Sequence, residues 1–184
     1  DAMAIKRKFP PRVATVYCSG GCRAKKDEDG ALLCAYGCIG CEACVNACRF
    51  DAIHLNEFGC AEVDDEKCIG CGACAVVCPR HVIQMKPIAP QPAVKCSNKD
   101  KGVLVNKTCK VGCIACGLCV RNCPNEAIFL KDNVAVIDYT KCKNCTMCAK
   151  ACPRNAIEPI PTPEEKEKFK AAQKAAAERK AAAA

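Results

Sequence analysis

The chain contains no tryptophan and only two histidines, and aromatic residues make up 4% of its 184 positions. So few bulky apolar side chains cannot fill a deep core, so cohesion has to come from elsewhere. The same scarcity removes the stacking platforms of a single-strand nucleic-acid binder, and no nucleic-acid partner is expected. No apolar run approaches the roughly 20 residues of a membrane-spanning helix, and no secretory signal is visible. The chain begins at Asp1, not Met, so a trimmed or processed chain is expected. No nucleophile–base pair, dinucleotide-type glycine loop or flavin motif occurs, which predicts that the chain has no catalytic site of its own.

Cysteine, by contrast, is abundant, at 22 residues. Sixteen fall in four copies of C-x2-C-x2-C-x3-C: Cys38, Cys41, Cys44 and Cys48; Cys68, Cys71, Cys74 and Cys78; Cys113, Cys116, Cys119 and Cys123; and Cys142, Cys145, Cys148 and Cys152. Cysteines this closely spaced seldom suit each other as disulfide partners. Zinc sites use pairs of C-x2-C rather than a 2-2-3 run with a trailing proline. The spacing is that of cubane [4Fe–4S] ligation, in which three cysteines wrap one face of a cube and the fourth reaches a neighbouring cube. A zinc-bound, cysteine-rich interaction protein is the competing reading.

Cross-ligation predicts four [4Fe–4S] clusters. The first is held by Cys38, Cys41, Cys44 and Cys78, and the second by Cys68, Cys71, Cys74 and Cys48. The third takes Cys113, Cys116, Cys119 and Cys152, and the fourth Cys142, Cys145, Cys148 and Cys123. Ligand bonds contribute folding energy directly. Each cubane with four thiolates carries roughly −2, so four of them bring the formal +8 of the polypeptide to roughly zero. The basic balance therefore reads as compensation for buried anions. Gly40, Gly70, Gly72 and Gly117 are expected to let backbone N–H groups approach sulfur. Pro79, Pro124 and Pro153 follow three of the last cysteines, whereas Arg49 follows the first motif. Lys143 and Asn144 replace the Ile-Gly of the first two motifs, and Lys143 should make the Cys142 centre the most easily reduced.

The chain is internally duplicated. The first motif and Cys34 recur 75 residues later as the third motif and Cys109, and the second motif recurs 74 residues later as the fourth. Repetition of this kind predicts an α+β architecture of two tandem bacterial-type two-[4Fe–4S] ferredoxin-like modules. The expected organisation is an N-terminal basic segment over 1–30, module 1 over 31–88, a linker over 89–101, module 2 over 102–160, and an Ala/Lys/Glu-rich tail over 161–184. Hairpins are predicted around Gly59 and around Asp132 and Asn133, the latter a good turn dipeptide. A further strand is predicted over Val82 to Met85, with brief helices following the ligand triplets. Three prolines between Lys86 and Lys95 read as an extended linker or a stiffened surface loop.

Six cysteines lie outside the motifs: Cys18, Cys22, Cys34, Cys60, Cys96 and Cys109. Cys18 and Cys96 share similar surroundings, VYCSGGC and VKCSNKDKG, and Cys34 matches Cys109. They read as buried thiols packing as small apolar groups, with a disulfide within each half or a further metal site as alternatives. His54 is expected to face solvent opposite Ile53 and Leu55, and His81 to lie on the surface.

The paired motifs resemble bacterial two-cluster ferredoxins. CSNKDKG (Cys96 to Gly102), CKVGCIACGLCVRNCPNEAI and DNVAVIDYTKC, together with GCIGCEACVNACRFDAIHLN, resemble the B subunit of the Rnf complex over roughly Cys18 to Ile157. The resemblance implies an electron-transfer subunit of a membrane-bound, ion-translocating ferredoxin:NAD oxidoreductase. Reduced ferredoxin would be the donor, other subunits of the complex the partners, and the cytoplasmic face of the bacterial inner membrane the location. Members of that family usually carry an N-terminal membrane helix and a further cluster-binding segment. Neither is recognisable in Asp1 to Tyr17, which implies a trimmed chain, membrane contact through partners, or a soluble relative. The alternative is a polyferredoxin wire of a soluble hydrogenase or ferredoxin-dependent oxidoreductase. Lys141, Lys143, Lys150 and Arg154 form a candidate landing patch for an acidic ferredoxin.

Overall fold

A computed structural model describes residues 12–21, 34–87 and 91–159. Cys22 and the tail over 161–184 lie outside these residues. In chain order the elements are β1 (Arg12–Val16), α1 (Ala43–Asn46), β2 (Ile53–Leu55), β3 (Ala61–Val63), α2 (Ala73–Val77), β4 (Ile83–Pro87) and β5 (Ala93–Val94). They continue with α3 (Gly102–Thr108), α4 (Leu118–Arg121), β6 (Ile128–Lys131), β7 (Val134–Ile137), α5 (Met147–Lys150) and β8 (Ile157–Glu158). These short strands and helices agree with the α+β expectation.

The strands form four antiparallel pairs, β1 with β4, β2 with β3, β5 with β8, and β6 with β7. The duplication in the sequence is repeated in these pairings. Val16 lies opposite Ile83 in the first half, and Val94 opposite Ile157 in the second. Both predicted hairpins form, β2–β3 with Ile53 opposite Val63 and β6–β7 with Lys131 opposite Val134. Asp132 and Asn133 both adopt positive φ, 48° and 61°. Two successive positive-φ residues match the right-handed twist of a two-residue hairpin.

Two strands arise outside the modules expected from the sequence. Strand β1 falls in the stretch expected to be an N-terminal extension. It runs antiparallel to β4, and Val13, Ala14 and Val16 are no more than 1% exposed. Strand β5 lies within the proline-rich linker and pairs with β8. Helix α3, which follows the CSNKDKG run, is a further element that the sequence pattern does not announce.

Small residues build the interior, as the composition requires. One apolar cluster gathers Val13, Val16, Ile53, Cys60, Val82 and Ile83, and a second gathers Val94, Ile128, Ala135, Ile137 and Ile157. Burying each Val or Ile contributes roughly 1.5–3 kcal/mol. Motif cysteines lie in both clusters, so the apolar packing and the candidate ligands share one interior. Among the described residues, no helix is long and apolar enough to cross a membrane.

Candidate iron–sulfur centres

All four motifs fold alike. The helices α1, α2, α4 and α5 start one residue before the third cysteine, not after the triplet as the sequence suggested. They carry Cys44, Cys74, Cys119 and Cys148 on their buried side, each 6–7% exposed. The residue before each helix is left-handed: Glu42 at φ 59°, Gly72 at 79°, Gly117 at 73° and Thr146 at 57°. Two further positions per motif share this conformation. Gly40, Gly70, Ala115 and Asn144 follow the first cysteine by two residues, and Asp51, His81, Glu126 and Asn155 follow the fourth by three. Only four of these twelve residues are glycine, although a left-handed non-glycine residue costs roughly 1–2 kcal/mol. Strain repeated at identical positions indicates a backbone wrapped to meet a site. The presence of Asn144 where the first two motifs have glycine is explained, because Asn tolerates this conformation.

The wrap aims N–H groups at sulfur. The backbone amides of Ala52, Ala127 and Ala156 donate to Cys48 Sγ, Cys123 Sγ and Cys152 Sγ at 3.4, 3.3 and 3.4 Å. The amide of Gly40 donates to Cys38 Sγ at 3.4 Å, and that of Ala14, on β1, to Cys68 Sγ at 3.5 Å. Such donors favour thiolate and tune the potential of a cluster bound there.

The third cysteines lie close to other motif cysteines. The charges of Cys38 and Cys78 act on Cys44, those of Cys113, Cys152 and Cys116 on Cys119, and those of Cys142, Cys145 and Cys123 on Cys148. The last cysteine of the other motif thus lies near the third cysteine in three cases, Cys78 near Cys44, Cys152 near Cys119 and Cys123 near Cys148. In the remaining set, Cys74 senses Cys68 and Cys71, and then Cys44 of the neighbouring set. Cys48 packs against the same apolar cluster. Burial pushes Cys74, Cys119 and Cys148 up to about 11, and raises Cys44 as well. An iron core that takes up these thiolates therefore has to displace protons. All the described cysteines are free thiols, and the second of each motif, Cys41, Cys71, Cys116 and Cys145, is exposed. The donor set of soft sulfurs with convergent N–H groups fits cubane clusters.

Other sequence readings fare differently. His81 is exposed, as expected, and occupies one of the left-handed positions. His54 is half-buried, not solvent-facing: its cross-strand partner on β3 is Glu62. Lys141, Lys143 and Lys150 are exposed. Arg154 is not a free surface charge: its guanidinium donates to Asn106 Oδ1 at 2.9 Å and to the carbonyl of Cys109. Arg80, its counterpart in the first half, donates to the carbonyl of Ala35. Sequence reasoning missed these anchors, although the shared Cys-Pro-Arg at 78–80 and 152–154 was a visible signal.

Comparison with known families agrees with the geometry. Models of the 4Fe-4S dicluster domain match residues 31–85, 67–128 and 112–156. The chain is 40% identical over 162 residues to the B subunit of the Na(+)-translocating ferredoxin:NAD(+) oxidoreductase complex of Acetobacterium woodii, covering 79% of the chain and 49% of that protein. It is 43% identical over 148 residues to the B subunit of the proton-translocating ferredoxin:NAD(+) oxidoreductase complex of Clostridium ljungdahlii (72% and 52%). It is 40% identical over 125 residues to the B subunit of the ion-translocating oxidoreductase complex of Methanosarcina acetivorans (68% and 47%). The chain spans about half the length of these curated relatives. With 4Fe-4S dicluster domains over most of its described residues, the chain belongs with the B subunits of Rnf-type ion-translocating oxidoreductase complexes.

Proposed function

We propose that this chain relays single electrons from reduced ferredoxin through four [4Fe–4S] clusters to other subunits of an Rnf-type complex at the cytoplasmic face of the membrane. The observation that carries the reading is the fourfold motif, folded in the same way each time, in a chain homologous to the B subunits of such complexes. The clusters, when bound, supply one-electron chemistry at low potential. The polypeptide holds them and sets their surroundings. In each half, the last cysteine of one motif reaches the triplet of the other, which holds the two centres close together. The N–H donors from Ala14, Gly40, Ala52, Ala127 and Ala156 stabilise charge on sulfur.

The exposed second cysteines put one corner of each centre near the surface, where a partner can approach. Lys141, Lys143 and Lys150 surround the last motif and supply positive potential for an acidic donor. Stopped-flow mixing of the anaerobically isolated chain with reduced ferredoxin tests the proposal. Bleaching of the visible absorption is expected at a rate that falls as ionic strength rises. A rate insensitive to salt removes the docking patch, and an absence of electron acceptance removes the relay.

A further inference from the structure

Four of the cysteines outside the motifs meet in one place. Cys18, Cys34, Cys96 and Cys109 line a single narrow cleft together with Gly21, Asn98 and Gly112. Two come from each half of the duplication, so the cleft lies where the halves face each other. Ser97 Oγ donates to the carbonyl of Tyr36 across the same junction at 2.9 Å.

The sulfurs are treated alike in the two halves. Cys18 Sγ accepts from the backbone N–H groups of Gly20, at 3.4 Å, and of Cys38. Cys96 Sγ accepts from those of Cys113, at 3.3 Å, and of Asn98. In each case the donors are the residue two ahead and the first cysteine of the following motif. Cys109 Sγ accepts from the amides of Val111 and Gly112. Cys34 Sγ receives Asn98 Nδ2 at 3.5 Å, from a side chain only 2% exposed whose Oδ1 is held by the amide of Asp100 at 2.7 Å. Thiols packing merely as small apolar groups have no use for converging donors, whereas metal-bound thiolates do.

The scaffold around Cys109 is fitted closely. A Cβ added at Gly21 would lie 3.3 Å from its sulfur, and one at Gly112 3.5 Å from it. Arg80 and Arg154 anchor the two loops that carry Cys34 and Cys109, and add positive charge beside the cleft. Cys60 differs: it is fully buried, lines no part of the cleft, and acts as a donor, its thiol bonding to the carbonyl of Cys18 at 3.2 Å and to the sulfurs of Cys18 and Cys38.

We propose that Cys18, Cys34, Cys96 and Cys109 ligate a fifth iron–sulfur cluster, which joins the two halves through metal–thiolate bonds. A polynuclear core suits the cleft better than one zinc ion. Its four sulfurs with converging N–H donors repeat the soft donor set of the candidate cubane sites.

The proposal goes beyond the relay reading, and core counting separates the two. Native mass spectrometry of the full chain, loaded anaerobically with iron and sulfide, should show five Fe4S4 cores, or about 20 iron atoms per chain. The double variant Cys34→Ser/Cys109→Ser should lose one core and keep four, and Cys60→Ser should keep all five. Four cores in the unaltered chain overturn this inference alone, whereas none overturns the relay as well. Zinc as a fifth metal, five cores persisting in the double variant, or loss of a core on Cys60→Ser while the double variant keeps five, also overturns it. If the double variant fails to load at all, the count for the unaltered chain decides.

Discussion

Replacing Gly70 or Gly72 with alanine separates two costs that usually occur together. Both residues are left-handed, at φ 74° and 79°. For alanine that conformation costs roughly 1–2 kcal/mol, of which about 0.4–1 kcal/mol is offset by the reduced freedom of the unfolded chain. At Gly72 this is the whole effect, because an added Cβ meets nothing within 4 Å. At Gly70 the Cβ would lie 2.1 Å from the carbonyl oxygen of Arg12. That oxygen belongs to β1, which is held against β4 along its length, so it cannot move alone. Forced overpacking adds roughly 1–3 kcal/mol. Gly70→Ala should therefore be less stable than Gly72→Ala by about 2 kcal/mol, or about 30-fold in unfolding rate if the difference falls on that step. The assay is the rate of visible bleaching of the anaerobic, cluster-loaded chain in guanidinium. Displacing β1 also disturbs the Ala14 N–H donor to Cys68, so Gly70→Ala should shift a midpoint potential and Gly72→Ala should not. Equal bleaching rates, or a faster Gly72→Ala, refute the reasoning.

Acidification should release iron. Cys74, Cys119 and Cys148 are raised to about 11 from the ordinary 9.0 by burial, so protons compete with the iron core more strongly than at free thiols. Chelator-driven loss of colour is expected to accelerate from about pH 8.5 to about 6.5, and a flat profile contradicts this. The apo fold follows the opposite sign. It holds more protons than the unfolded chain between about 9 and 11, so its urea midpoint should fall as pH rises through that window. Removing the exposed charge beside the last motif with Lys143→Ile should lower one midpoint by roughly 10–40 mV in a redox titration, the others staying in place. Neutralising Lys141, Lys143 and Lys150 together to Gln should slow ferredoxin association by about tenfold at low salt and change little at high salt.

The motif cysteines and both hairpins were legible because their signals are local. Cys-x2-Cys spacing and an Asp-Asn turn act over a few residues, so the pattern carries the geometry. The pairings of β1 with β4 and β5 with β8 were not legible. These strands are short, lie beside prolines or basic residues, and gain their order only from partners roughly 60–75 residues away. His54 was misplaced for the same reason, since strand alternation predicts a face but not the Glu62 opposite it. Arg154 looked like one more basic residue in a patch until the fold brought Asn106 and Cys109 beneath it.

By itself the sequence determined the internal duplication, the sixteen-cysteine pattern and the resemblance that relatives then supported. Only the tertiary structure decided which sulfurs share surroundings. It brought Cys18, Cys34, Cys96 and Cys109 to one cleft, although Cys18 and Cys109 stand 91 positions apart. The reason is that cysteine spacing within a motif is a property of a few consecutive dihedrals, whereas convergence across the halves depends on packing between segments far apart in the chain.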